Sequence, residues 1–182
     1  TRHGGTFKWY FKDEKSTREV IDEEGWLHTG DVGEITERGS LIITDRKKDI
    51  IMTSGGKNVS PSEIENKIKA SPFIKDALVV GDRRKFLSCL VAIEFETVSN
   101  WALRKKIPFT TYRDLTEKSE VRELVSKEII RANEETSSLQ VRKFELIPKE
   151  LDHEDGELTA TQKIKRNVII EQFSELVESM YK

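Results

Sequence analysis

The sequence is short of the residues that build covalent staples and metal centres. Cys89 is the single cysteine, so no internal disulfide and no cysteine-based zinc site can form. It lies in the apolar run FLSCLVAIEF and reads as a small core residue. The three histidines, His3, His28 and His153, lie far apart without ligand spacing, and no metal site is expected. No apolar run is long enough to span a bilayer, and the N-terminal TRHGGTFKWY lacks a signal peptide's apolar region. The chain begins at Thr1 rather than Met, as an excised piece or a processed product does. An excess of one charge is also missing: 31 Lys+Arg face 33 Asp+Glu, a net charge of -2. Basic residues are interleaved with acids, which argues against nucleic acid as a partner.

What is present is an organised alternation of apolar patches within a polar chain. The 182 residues suffice for one ordinary domain, or one small domain plus a piece of another. The first 45 residues read as extended segments joined by turns. TFKWYF is aromatic and β-prone, REVIDEEGWLHTGD turns near Glu24-Gly25, and VGEIT and SLIIT flank a short loop containing Gly39 as a hairpin does. Ile50, Ile51 and Met52 then suggest a short strand, Ser54-Gly55-Gly56 a loop, and Val59 the end of another strand.

Ser60-Pro61-Ser62-Glu63 has the form of a helix start with a capping box, and Ile64 and Ile68 share the following helical face. FIKDALVVGD and FLSCLVAIEF, joined by DRRK, predict an antiparallel pair. A helix begins near Val98 and ends by Pro108. TEKSEVRELVSKEIIRANEE is amphipathic, with Val121, Leu124, Val125 and Ile129 on one stripe. VRKFELIPKE reads as a strand, DHEDGE as an acidic loop, and NVIIEQFSELVESMYK as one last helix with Ile169, Phe173, Leu176 and Met180 inward. The fold class is α+β, with short antiparallel sheets flanked by helices.

Four motifs carry possible chemistry, each with a plainer alternative. In TGDVGE, Asp31 lies between glycines. Its carboxylate suits both hydroxyls of a ribose, or it is a simple turn residue. DRKKD is a solvated connector or a hydrated linker between domains, where Arg46 offers a planar fork of donors to phosphate or ribose. SGGKN lacks both the P-loop ending and the dinucleotide spacing. Its glycines let a ligand approach the backbone, or merely make a tight hairpin. Around TATQKIKR, the preceding Gly156 with Thr159 and Thr161 suggest a mobile segment, and Lys163 is either a surface cation or one that reaches an anionic site.

Taken in order, GWLHTGDVGEI, DRKKDII, SGGKNVSPSEIE and TATQKIKR resemble the C-terminal part of the adenylate-forming superfamily: acyl-CoA synthetases, luciferases and peptide-synthetase adenylation domains. The resemblance covers essentially the whole chain. IPFTTYRDLTEKSEVRELV and EDGELTATQKIKR are most similar to the long-chain fatty acyl-CoA synthetase branch, ligases of fatty acid and lipid metabolism.

The resemblance implies a two-step reaction. An acid and ATP, supplied with Mg2+, give an acyl-adenylate, and CoA then displaces AMP. It implies ribose binding by Asp31 and assistance at ribose or phosphate by Arg46. Lys48 matches the hinge about which a small domain rotates. Lys163 matches the lysine that enters for adenylation and leaves for thioester formation. Gly55 and Gly56 match the loop lining the pantetheine channel, and Lys57 would face the nucleotide or CoA. Many family members carry Gly just before this lysine, where Gln162 stands here.

By the same resemblance, residues 1–46 would end a large N-terminal domain and 47–182 would form the mobile small domain. The large domain's Ser/Thr/Gly-rich phosphate loop has no counterpart here, so the chain alone is expected to be inactive and to bind no cofactor by itself. A reducing cytoplasmic setting is expected, with peripheral membrane contact where a lipid substrate is met. The alternatives are a synthetase for another acid, medium-chain or aromatic, or a non-catalytic domain binding CoA or a protein partner.

Overall fold

The computed structural model describes residues 1–136 and 140–182. They form two compact units, Thr1–Asp49 and Ile50–Lys182.

The first unit holds helix α1 (Glu14–Val20) and the antiparallel hairpin of β1 (Asp31–Ile35) and β2 (Leu41–Arg46). The predicted hairpin is present. Its register shifts between Val32 and Gly33, and a Cβ at Gly33 would sit 2.6 Å from the Ile42 carbonyl oxygen. That bulge therefore needs glycine. The expected turn is present too: Gly25 N–H donates to the Asp22 carbonyl at 3.0 Å, and Ile21 bridges Leu27.

Two expectations for this unit fail. TFKWYF forms no strand, only an isolated bridge between Tyr10 and Asp13, because β-prone side chains make no ladder without a neighbouring strand to pair with. α1 replaces part of the expected extended region. It buries no side chain, so no apolar stripe announces it. Its signal is the cap: Asp13 Oδ1 accepts from Ser16 N–H at 3.0 Å. These bonds hold the Asp13 carboxyl below the usual range.

The second unit is layered about a three-stranded sheet of order β5-β6-β7, with β5 (Ile74–Val80), β6 (Leu87–Ile93) and β7 (Val141–Leu146). β5 and β6 are antiparallel and β6 and β7 parallel. A parallel neighbour requires a crossover. It is made by α3 (Phe95–Arg104), α4 (Tyr112–Thr116) and α5 (Ser119–Glu134).

Alternation along the strands sorts the core into two clusters. Ala77, Val79, Cys89, Val91 and Ile93 join Ile64 and Ile68 of α2 (Pro61–Ile68) with Val98, Val121, Val125 and Ile129. Leu78, Val80, Leu90 and Ala92 join Leu158, Ile169, Phe173, Val177 and Met180. β3 (Ile51–Met52) and β4 (Asn58–Val59) form a separate small hairpin just before α2.

The α+β expectation holds, and so do the strand pair, the amphipathic helix and Cys89's burial, but the sheets are not all antiparallel, because the helical crossover returns β7 parallel to β6. Ser60 and Pro61 take the cap and first-turn positions, but the Ser60 side chain makes no capping hydrogen bond. The expected single last helix is two, α6 (Arg166–Gln172) and α7 (Ser174–Ser179). They part at Phe173, whose ψ of 29° leaves the helical range. Among the described residues, no helix is long and apolar enough to cross a membrane.

Candidate functional site

The hairpin of the first unit brings two motifs together. Asp31 pairs with Arg46 in the ladder, and Arg46 Nε lies 2.9 Å from Asp31 Oδ1. Arg46 Nη1 donates to the Thr29 carbonyl at 3.3 Å, and Thr29 Oγ1 accepts from Asp31 N–H at 3.2 Å. Arg46 thus orients the carboxylate, while Asp31 Oδ2 faces no donor among the described residues. One oxygen is fixed and one is available, an arrangement suited to accepting from a hydroxyl-bearing ligand.

Nearby, Asp22 accepts from Trp26 N–H at 2.8 Å and from Glu24 N–H at 3.1 Å, and lies 2.9 Å from His28 Nε2. The Trp26 amide, then His28, hold its carboxyl below the usual range. This pair ties the ends of the turn just ahead of Thr29. A groove of about 450 Å³ in the same unit is lined by Trp9, Tyr10, Lys12, Asp13, Glu14, Thr17 and Arg18, none of them from the four motifs.

Lys48 is exposed in a turn closed by Asp49 N–H donating to the Arg46 carbonyl at 2.9 Å. The chain's division into units falls immediately after Asp49.

In the second unit, Ser54-Gly55-Gly56-Lys57 caps the β3–β4 hairpin. Thr53 N–H donates to the Lys57 carbonyl at 3.0 Å, and Gly56 N–H to the Thr53 carbonyl at 2.9 Å. Gly56 has φ +75°, which only glycine adopts at little cost. Gly55 has open space, its nearest neighbour being Thr53 Oγ1 at 4.0 Å. The hairpin is tethered to the β5–β6 turn. Ser54 N–H donates to the Arg84 carbonyl at 3.0 Å, and Arg83 N–H to the Met52 carbonyl at 2.8 Å. Lys57 is exposed.

Lys163 sits on a closed hairpin loop rather than an irregular tail. Leu158 bridges Ile164, Thr159 N–H donates to the Lys163 carbonyl at 2.8 Å, and Thr159 Oγ1 accepts from Lys163 N–H at 3.0 Å. Thr159, read from sequence as a source of mobility, instead closes the loop. Gln162 has φ +60°. The Lys163 side chain is exposed and pairs with no carboxylate among the described residues.

Sequence reasoning missed the residues that carry this loop. Arg166 Nη2 donates to Glu65 Oε1 at 2.6 Å and Nη1 to the Val79 carbonyl at 2.9 Å, while Val79 N–H donates to Glu65 Oε1 at 2.7 Å. Burial pushes the Glu65 carboxyl up, against the pull of Arg166. Glu65 follows the glycine loop on α2, and Arg166 follows Lys163 on α6, so the two candidate loops stand on one anchored body.

Asp152, Asp155 and Glu157 bring carboxylate oxygens within 4.8 Å of one another. Lys149 Nζ lies among them, 3.0 Å from Glu157 Oε1, and also pairs with Asp155. The ammonium supplies the charge that a metal would, so the donor set does not call for one.

The model of the AMP-binding enzyme C-terminal domain matches residues 48–182. The chain is 37% identical over 182 residues to the long-chain-fatty-acid–CoA ligase FadD15 of Mycobacterium tuberculosis, covering 99% of this chain and 30% of that protein. It is 36% identical to the peroxisomal long chain acyl-CoA synthetase 7 of Arabidopsis thaliana, covering 96% and 26%. The chain thus spans under a third of these relatives' length. The adenylation domain of a carboxylate reductase from Mycobacterium chelonae matches in fold, with a TM-score of 0.79, 23% identity, and coverage of 96% and 26%. The chain belongs to the AMP-binding enzyme C-terminal domain family.

Proposed function

We propose that this chain is the C-terminal part of a long-chain fatty acid–CoA ligase that works in two steps. The carboxylate of a fatty acid attacks the α-phosphorus of ATP, forming acyl-adenylate and expelling pyrophosphate. The thiol of CoA then attacks the acyl carbon, loses its proton, and AMP leaves. The observation that carries this reading is 37% identity to such a ligase along 99% of the chain, with all four motifs on defined turns and loops.

Each residue has a role consistent with its setting. Asp31 accepts from the ribose hydroxyls through its open oxygen, held in place by Arg46, whose remaining N–H groups face ribose or phosphate. Lys163 is an unpaired cation, available to stabilise charge spreading between carboxylate and α-phosphate. Gly55 offers open backbone to the pantetheine arm, Gly56 shapes the turn, and Lys57 stands beside it for the nucleotide or CoA. Lys48, in the turn before the break, is the hinge where residues 47–182 turn against 1–46 and the large domain upstream.

ATP arrives with Mg2+, and no residue of this chain is assigned to that ion. The acyl pocket and phosphate loop belong to residues outside this chain, so the 182-residue piece alone is inactive. We place the full-length protein in the cytoplasm, in peripheral contact with membranes that supply its fatty acid.

The test is Lys163→Ala in the full-length protein, with the two half-reactions assayed separately. Pyrophosphate release from fatty acid and ATP is expected to fall about a hundredfold or more. Thioester formation from supplied acyl-adenylate and CoA is expected to persist. Retention of both activities would return Lys163 to an ordinary surface lysine.

A further inference from the structure

The hairpin that carries Lys163 is held at both feet by charged clamps. At the first foot, Glu157 is fully buried. Its Oε2 accepts from Asp152 N–H at 3.0 Å, and its Oε1 lies 3.0 Å from Lys149 Nζ. The Glu157 carbonyl accepts from Lys165 N–H at 2.8 Å, joining this foot to the other strand. Leu158, the next residue, is 4% exposed and packs in the core. At the second foot, Arg166 binds Glu65 and the Val79 carbonyl. Between these anchors the ammonium groups of Lys163 and Lys165 both lack a partner among the described residues, and Lys163 is the one in the hydrogen-bonded turn with Thr159.

A carboxylate is buried at such a site only where a countercharge neutralises it. Glu157 has that countercharge in Lys149, which sits outside the hairpin's hydrogen-bonded turn. Partial burial disfavours Lys149's charge, but its bonds to Asp155 and Glu157 prevail and hold it protonated. Removing the ammonium would leave Glu157 either charged and unpaired or drawn outward to water. Either outcome loosens the foot on which Lys163 stands, without touching Lys163.

We propose that Lys149 and Arg166 are positioning residues for Lys163. They seat the two feet of residues 157–165 through Glu157 and Glu65, so that the Lys163 ammonium is presented at a fixed height. This rests on the reading of Lys163 as the adenylation lysine. A 1 Å error in placing such a cation costs about a hundredfold in rate, so the clamps act on the first half-reaction and leave the second alone.

The experiment uses the full-length protein with Lys149→Met, Lys149→Arg and Arg166→Lys, and Lys163→Ala alongside. Both half-reactions are measured, together with amide hydrogen exchange across residues 157–165. Lys149→Met is expected to lower the adenylation kcat about tenfold or more. The KM for ATP and thioester formation from supplied acyl-adenylate should stay within about twofold. Hairpin amide exchange should rise about tenfold, and Lys149→Arg should restore most of the rate. Arg166→Lys keeps the charge but loses the forked contact, and should give the same pattern more weakly if Lys149→Met proves too unstable to purify.

Equal loss in both half-reactions, or hairpin exchange unchanged in the folded variants, overturns the proposal. Should Lys163→Ala retain adenylation, the functional reading fails and the claim of catalytic positioning fails with it. Exchange data then decide separately whether the clamps seat the hairpin.

Discussion

Glu65 and Arg166 form a largely buried ion pair across 101 residues of sequence, at 2.6 Å, with both also bonded to the backbone of Val79. Helix α2, strand β5 and helix α6 therefore meet at one charged point. Removing one partner of such a pair leaves a buried charge uncompensated, which costs about 3–5 kcal/mol. Arg166→Met should accordingly lower the unfolding free energy of the 182-residue chain by about 3 kcal/mol in urea titrations. A loss below about 1 kcal/mol would mean that the pair is solvated and contributes as surface pairs do.

Asp76 supplies a pH test. Burial raises its carboxyl pKa, Lys69 and Lys75 oppose this, and Glu94 adds to it. The folded state thus holds this proton more tightly than the unfolded chain. The resulting stabilisation is complete below the ordinary aspartate range and is lost as pH rises through the folded value. At neutral pH the wild type carries a charge that the fold disfavours, and Asp76→Asn removes it. The variant should be more stable than wild type at pH 7, with the difference closing towards about pH 3. Urea midpoints at the two pH values check the sign, and a difference that grows on acidification would refute it.

The two loop glycines separate by kind. A side chain at Gly56 is strained by its φ of +75°, although nothing lies within 4 Å of its added Cβ. Gly56→Ala should cost about 1–2 kcal/mol. Gly55 has neither strain nor crowding, so Gly55→Ala should leave stability within about 0.5 kcal/mol. If the pantetheine arm passes this backbone, Gly55→Ala will slow thioester formation from acyl-adenylate in the full-length protein while pyrophosphate release persists. An unchanged thioester rate would remove Gly55 from the channel.

The hairpin of β1 and β2 illustrates how far the sequence could be read. Two strands about a Gly39 loop were legible from alternation and turn chemistry alone. The pairing inside it was not, because an unbroken register would set Asp45, not Arg46, opposite Asp31. The bulge at Val32–Gly33 shifts the ladder by one residue and brings the guanidinium to the carboxylate. Gly33 was visible in TGDVGE, but nothing local distinguishes a bulge glycine from a turn glycine. Glu65 and Arg166 were hidden for a related reason. Each reads as one more charge on a polar helix face, and only the packing of α6 beneath β5 buries them together. α1 was missed because it has a cap without an apolar stripe, and the end of the chain was read as one helix because its apolar spacing runs through Phe173 unbroken.

Gln162 tests the loop at the residue just before Lys163. Its φ of +60° lies in the left-handed region, which favours glycine. A residue with a Cβ pays about 1–2 kcal/mol there, asparagine is tolerated comparatively well, and a branched Cβ is a clear misfit. The loop holds Gln162 in place through its N–H, which donates to the Thr159 carbonyl at 2.8 Å. Gln162→Asn should keep that turn and leave adenylation by the full-length protein within about twofold. Gln162→Val should open it, raising amide exchange at Gln162 and Lys163 and lowering adenylation about tenfold, because the flanking turn sets where the Lys163 ammonium stands. Equal behaviour of the Asn and Val variants would show that the left-handed turn has no bearing on the placement of Lys163, and that the ammonium finds its position from its own side-chain freedom instead.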